Sequence, residues 1–477
     1  MTRAAGAALL AGILVSGSRP ARAQSPQGEP TQSPAVEQLK DKVKQLEQTV
    51  EELKGQIKAI ENTQKEAAAR QSTSTPVGEA IAAGAPAPVP GGPPAPKQEE
   101  KKVGGTFEVY GFAMLDMGYQ GGQSHPDWFD VIRVTKLPAF KDEFGSNGAT
   151  FAGVRQTRFG ARSSTPTKYG ELKTLFEFEL FGTGVDAGQT TFRLRHAYGE
   201  LGQFGAGQTN SPFMDGDVFP NSLEYWGPTG MVFFRNVQAR WMPIKGRSRV
   251  TVALERPGAS GDQGVFADRI ELAGIKPKFG WPDLSWEARL GRDWGYVEAA
   301  GIFRSIRWVD TNDDAFDLGG SDVGWGINLS SNLNFGKNDV GRFQVVYGQG
   351  IQNYMNDSPV DIGPEFNPGG DPRKPIKGVA LPVLGVVAFL DHTWNKKFSS
   401  AGGYSMQNIE NSDAQAPSAF RQGHYALGNL LYYPTEKTMV GGEFQFGRRE
   451  NNSDGFTVND YRMQFSFKYN FSKVFEF

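Results

Sequence analysis

The chain has no cysteine, so no disulfide braces it and no thiolate is available as nucleophile or metal ligand. Only four histidines occur, His125, His196, His392 and His424. None has metal-ligand spacing or a nucleophile motif beside it, and hydrolytic chemistry needs such a constellation. The chain is therefore not expected to be an enzyme or to need a cofactor or metal. Charge of one sign is also lacking: 50 Lys and Arg face 52 Asp and Glu, which argues against a nucleic-acid partner. No apolar run reaches the roughly 20 residues of a spanning helix. That absence leaves a β-barrel open, because a barrel shows lipid only alternate residues and keeps a polar average.

What is present is clearest between Gly455 and Phe477. Tyr461, Met463, Phe465, Phe467, Tyr469 and Phe471 alternate with Arg462, Gln464, Ser466, Lys468, Asn470 and Ser472. Alternation of this length is a strand with one apolar and one polar face. An unpaired aromatic edge of this kind invites aggregation in a soluble domain. A closed barrel in lipid removes the edge and places apolar residues outside, polar residues inside.

The first 23 residues read as a signal peptide: Arg3, a short apolar run from Ala4 to Val15, then Ala21-Arg22-Ala23 as the cleavage site. A short linker, 24–35, precedes a heptad run over 36–66. Val36, Val43, Val50 and Ile57 hold the a positions; Leu39, Leu46, Leu53 and Ile60 hold the d positions. This narrow seam predicts a coiled coil, with Lys42 at g facing Glu47 at the next e of a neighbour. Its strand number stays open between two and three. Residues 67–104, rich in Pro, Ala and Gly, form a semi-rigid linker. Fully extended, it reaches on the order of 100 Å.

From 105 to 477 alternating segments are joined by two kinds of connection. Seven are tight, around Thr167-Lys168, Gly202-Gln203, Lys245-Gly246, Asp293-Trp294, Gly336-Lys337, Lys396-Lys397 and Glu436-Lys437. Eight are long, near 121–148, 183–190, 212–230, 257–282, 311–320, 356–381, 412–418 and 451–455. Strict alternation of short and long predicts an all-β membrane barrel of about sixteen antiparallel strands, its short turns periplasmic. Arg269 to Lys278 is taken as loop, because another strand would break the even count. A plugged transporter would need a folded plug domain and more strands.

Particular motifs carry a family resemblance. They are Val109-Tyr110-Gly111-Phe112, Arg155-Gln156-Thr157-Arg158-Phe159-Gly160, Arg193-Leu194-Arg195-His196-Ala197-Tyr198 and Gly207-Gln208-Thr209. Ala300-Gly301-Ile302-Phe303-Arg304-Ser305, Tyr433-Pro434, Gly442-Glu443-Phe444-Gln445-Phe446-Gly447 and the closing strand complete the set. In this order they resemble the DcaP-like porins. The resemblance implies a homotrimeric sixteen-stranded outer-membrane channel with an N-terminal periplasmic coiled coil. It also implies uptake of small organic acids or other anions, and Phe477 as the signal read by the barrel-assembly machinery. Lys473 interrupts the usual alternation before that aromatic.

A channel needs a narrowed polar path with a charge pattern, and parity assigns its lining. With Phe151 and Phe159 turned to lipid, Arg158 and Arg162 point inward. Phe192, Leu194 and Tyr198 outward leave Arg193 and Arg195 inward. Val237, Ala239 and Trp241 outward leave Gln238 and Arg240 inward. Val250, Val252 and Leu254 leave Arg249 and Glu255. These arginines form a basic ladder suited to carboxylates. The third long loop brings Asp215, Asp217 and Glu224 opposite it. Arginines of the ladder either select anions or pin that loop through its acids. Arg304 and Arg307 stay unassigned. The expected function is a diffusion channel favouring anions such as organic (di)carboxylates. A non-selective or sugar-type porin is the alternative, with a trimeric adhesin behind it.

Overall fold

A computed structural model of the protein describes residues 104–477. The expected signal peptide, the heptads from Val36 to Ile60 and the linker before Gly104 lie outside the described residues. Strands are numbered along the chain. The first group is β1 (Thr106–Gln120), β2 (Ala149–Gly153), β3 (Arg158–Thr167), β4 (Gly170–Phe181) and β5 (Thr190–Leu201). Next come β6 (Phe204–Asn210), β7 (Arg235–Ile244), β8 (Arg249–Glu255), β9 (Ile275–Pro277) and β10 (Asp283–Arg292). Then follow β11 (Gly295–Asp310), β12 (Gly320–Phe335), β13 (Asp339–Gln349), β14 (Ile362–Phe366) and β15 (Ile376–Ala380). The last are β16 (Pro382–Asn395), β17 (Phe398–Ile409), β18 (Phe420–Thr435), β19 (Thr438–Asn451) and β20 (Thr457–Glu476).

Each barrel strand pairs antiparallel with its neighbours, and β20 pairs with β1 from Thr106↔Glu476 to Gln120↔Arg462. Gly105 and Phe477 exchange backbone hydrogen bonds of 2.7 and 3.0 Å at the end of that seam. β2 and β3 are two halves of one wall strand, both paired with β1. β9 prolongs β10 along β11, and β14 with β15 forms a separate hairpin in a loop. The wall is thus a closed barrel of sixteen strands, with no free sheet edge to solvate in lipid. The excursion at 269–278 holds a 3₁₀ turn, Ile270–Gly274, and the short β9. It adds no wall strand of its own.

Alternation sorts the two faces of β20. Tyr461, Met463, Phe465, Phe467 and Tyr469 are exposed on the outside, while Arg462, Gln464 and Ser466 are buried within. The lumen is partly filled. Ile132, Val134 and Leu137 from the first long loop pack with Phe213, Met214, Met231 and Val232 from the third. Inward wall residues Val346, Val387 and Phe389 receive them. Each such fully buried side chain contributes about 1.5–3 kcal/mol by leaving water. Two loops are therefore held inside the ring by apolar burial.

Two expectations about facing are corrected. Asp116 pairs with Gly153, but Phe112 pairs with Arg158, so one extra residue sits between β2 and β3. A one-residue slip flips every side chain beyond it. Phe151 accordingly lies inside, 7% exposed, under the Arg462 guanidinium at 4.5 Å, while Phe159 stays outside. Arg155 fills the interruption, buried, 2.5 Å from Asp130. In β5 the register shifts between Glu177↔His196 and Phe178↔Leu194, leaving Arg195 as a bulge. Tyr198 therefore turns into the lumen rather than to lipid, with Arg240 above its ring at 4.9 Å.

Candidate pore constriction

The third long loop leaves β6 at Asn210, crosses the lumen and returns at Arg235. It is hung on the far wall by buried polar contacts. Asp215 accepts hydrogen bonds from Arg289 Nη2, Tyr296 Oη and Ser330 Oγ, each at 2.6 Å. Asp217 Oδ2 lies 2.5 Å from Arg289 Nη1. Farther along, the Glu443 carboxylate accepts the amides of Leu223 (2.7 Å) and Glu224 (3.0 Å). The Gly230 amide donates to Ser405 Oγ at 2.9 Å. Charge-assisted bonds of this kind, shielded from water, are the strong ones.

Glu224 borders the neck cavity, with its carboxylate buried against the first long loop. Its carboxylate accepts the Ile132 amide at 3.2 Å, the Gly227 amide, and the Tyr425 hydroxyl at 3.4 Å. Burial pushes this carboxyl up to about 8, against the opposing pull of backbone amides and Arg462.

On the near wall Arg158, Arg193, Arg195, Arg235 and Lys468 line a cavity of about 620 Å³ with Phe219 and Tyr225 of the loop. The counterions of the first three are Glu177 and Glu179 of β4, not the loop acids. Arg195 lies 2.6 Å from Glu177 and 2.8 Å from Glu179, largely shielded from solvent. Arg158 sits 3.7 and 3.3 Å from the same pair, and Arg193 is 3.7 Å from Glu179. The loop acids Asp215 and Asp217 belong to Arg289 across the lumen. The ladder thus neither pins the loop through its acids nor stands wholly unneutralised.

Arg235 and Lys468 have no carboxylate within 4.0 Å among the described residues. Lys468 Nζ rests 4.0 Å from the Phe112 ring centre, on the inward face that alternation assigns it. Arg235 escapes parity, since it shares odd numbering with the exposed Val237 and Trp241. The pairing of β7 with β6 runs unbroken from Asn210↔Arg235, and the neighbouring Asn236 Oδ1 accepts the Val237 amide.

The remaining basic positions sit elsewhere along the lumen. Arg162, 61% exposed, is 2.6 Å from Glu108. Arg240 donates to the Asn210 carbonyl (2.6 Å) and Gln238 (3.1 Å), with no acid within 4.0 Å among the described residues. Arg249 pairs with Glu287 (2.9 Å) and Glu298 (3.0 Å). Glu255 accepts Ser211 at 2.6 Å and also Ser285. Arg304 is buried inward against Asp283 and Asp361, and Arg307 is exposed.

One side of the neck offers guanidinium and ammonium groups, the other offers loop backbone and aromatic faces, and its charge pattern decides what passes.

A family model described as DcaP outer membrane protein matches residues 142–471. The crystal structure of the outer membrane channel DcaP of Acinetobacter baumannii superimposes with a TM-score of 0.65 at 20% identity. That alignment covers 78% of this chain and 99% of that one, and shows the shared fold. An anion-selective porin from Comamonas acidovorans aligns at TM-score 0.49 and 9% identity, covering 77% of this chain and all of its own (100%). Outer-membrane-expressed OmpT of Vibrio cholerae aligns at 0.47 and 12%, covering 78% and 100%. A sequence search of curated proteins finds no match.

Proposed function

The chain belongs to the DcaP outer membrane protein family, and we propose that this outer-membrane porin favours small organic anions, (di)carboxylates among them. The observation that carries the reading is a line of cations without acid partners. Arg235 and Lys468 border the constriction, and Arg240 lies on the lumen wall beyond it. The three arginines beside them share two carboxylates and are largely neutralised, so most of the net field of the neck comes from the unpaired cations. Guanidinium forks match carboxylates in shape and charge, and the restricted water of the neck strengthens the attraction. The protein acts as a conduit rather than an enzyme.

Three further parts of the reading rest on sequence. The protein is exported by cleavage after Ala23, it carries a periplasmic coil, and it assembles as a homotrimer through the barrel-assembly machinery. The extended linker uncouples coil from barrel, so deletion of Val36 to Ile60 leaves a conducting channel.

The test is the reversal potential in planar bilayers under a salt gradient with ions of unequal size. A shift toward the anion potential is expected. Cation preference overturns the anion reading, and equal permeation returns the protein to the non-selective porins.

A further inference from the structure

Charge is distributed unevenly around the periplasmic rim. Between β3 and β11 most turn charges are paired, and Lys168 and Arg292 are left without a carboxylate within 4.0 Å among the described residues. Lys245 lies 2.5 Å from Glu200, Arg247 lies 2.7 Å from Asp293, and the Gly202-Gln203 turn carries no charge. Between β12 and β19 the three turns carry Lys337, Lys396, Lys397 and Lys437. None of the four has a carboxylate within 4.0 Å among the described residues. Glu436 is the one acid in these turns, and Asp339 just beyond is held by His392 at 2.6 Å.

Aromatic side chains sit directly above these lysines on the outer wall. Trp394 is 60% exposed, Phe335 51% and Tyr432 37%. The Trp394 ring lies 4.2 Å from that of His392, and its indole donates to Ser400 Oγ at 3.0 Å. His392 and Ser400 in turn border an open groove of about 620 Å³ in the outer face. Gly402, Gly428 and Gly442 floor it, and Leu390, Leu430 and Phe444 wall it. A Cβ at Gly428 would meet nothing within 4 Å, so internal packing does not call for glycine there.

We propose that this arc of the rim is a docking surface for an anionic phospholipid of the inner leaflet, headgroup on the lysines and acyl chain in the groove. The occupant follows from charge and position. Four unpaired ammonium groups stand at the level where the short turns of a barrel meet headgroups, beside the interfacial Trp and Tyr. The groove continues from them into the apolar band, where a hydrocarbon chain is the available filler. The arc opposite has its unpaired cations, Lys168 and Arg292, in turns at its two ends rather than in a cluster.

The experiment uses the full chain in mild detergent, incubated with equimolar phosphatidylglycerol and phosphatidylethanolamine, with bound lipid read by native mass spectrometry. Retention of phosphatidylglycerol over phosphatidylethanolamine is expected. A lysine near an anionic headgroup changes occupancy by about fivefold, so K337Q/K396Q/K397Q/K437Q erases the preference. Gly428→Leu projects a side chain into the groove from a position where its Cβ meets nothing within 4 Å, and lowers occupancy of both lipids. Single-channel conductance equal to that of the parent confirms that each variant has folded. Absence of headgroup preference in the parent, or its persistence in the four-lysine variant, overturns the proposal. So does a Gly428→Leu variant that changes oligomer size while retaining lipid, because the groove would then hold a second copy of the chain.

Discussion

Arg289 grips Asp215 across the lumen at 2.6 Å, with both side chains shut off from solvent. The same guanidinium reaches Asp217 and Glu298 at 2.5 Å each, so one side chain from β10 anchors the descending limb of the constriction loop. Breaking a buried pair from one side strands the other charge, at about 3–5 kcal/mol. Arg289→Met is expected to loosen the loop while leaving the sixteen-stranded wall intact. Single-channel recordings should show larger, noisier conductance, with heat-modifiable mobility of the barrel unchanged.

Selectivity and stability separate on the near wall. Arg235 and Lys468 have no carboxylate to strand, so Arg235→Gln and Lys468→Gln remove field without leaving a buried acid behind. Each should move the reversal potential toward the cation value with little change in Tm. Arg195 lies between Glu177 and Glu179 in a desolvated cluster. Its replacement by Gln should lower Tm, by the loss of about 3–5 kcal/mol expected for stranding buried acids.

The architecture was legible because lipid outside and water inside impose a period of two. Aromatics at Tyr461 to Phe471 and the alternating short and long connections state it directly. What period two cannot carry is its own interruption. The extra residue between Gly153 and Arg158, and the bulge at Arg195, each invert the facing beyond them, which is why Phe151 and Tyr198 turn inward. Counterion identity was equally hidden. Glu177 and Glu179 lie on the strand between two arginine-bearing strands, and only cross-strand register reveals that they neutralise Arg158 and Arg195. Arg289 lies far from the loop in sequence, and nothing local to it announces Asp215 as its partner.

Glu224 makes the docking of two loops depend on pH. Its carboxyl is raised from 4.5 to about 8 by burial, so the folded loops favour the neutral form. The stabilisation is full below the ordinary carboxyl range and is lost as pH rises through about 8. Conductance fluctuations that come from loop undocking should therefore become more frequent between roughly pH 4.5 and pH 8. Glu224→Gln keeps a neutral, hydrogen-bonding group at the same place, and should flatten that dependence in bilayer recordings.

Gly230 brings the constriction loop against the wall more closely than any side chain permits. A Cβ there would lie 2.1 Å from the Met406 carbonyl oxygen and 2.7 Å from the Val386 amide nitrogen, both backbone atoms that cannot swing aside. Gly385 faces it from β16, where an added Cβ would lie 2.3 Å from the Gly230 oxygen. The two glycines form one contact, through which the loop amide reaches Ser405. Gly230→Ala must lift the returning limb away, breaking that hydrogen bond and part of the packing of Met231 and Val232. Overpacking of this type costs about 1–3 kcal/mol. The expected result is a folded barrel with altered conductance and protease-sensitive cleavage within 211–234. Ser405→Ala should reproduce the effect in weaker form, because it removes the hydrogen bond and leaves the close approach untouched.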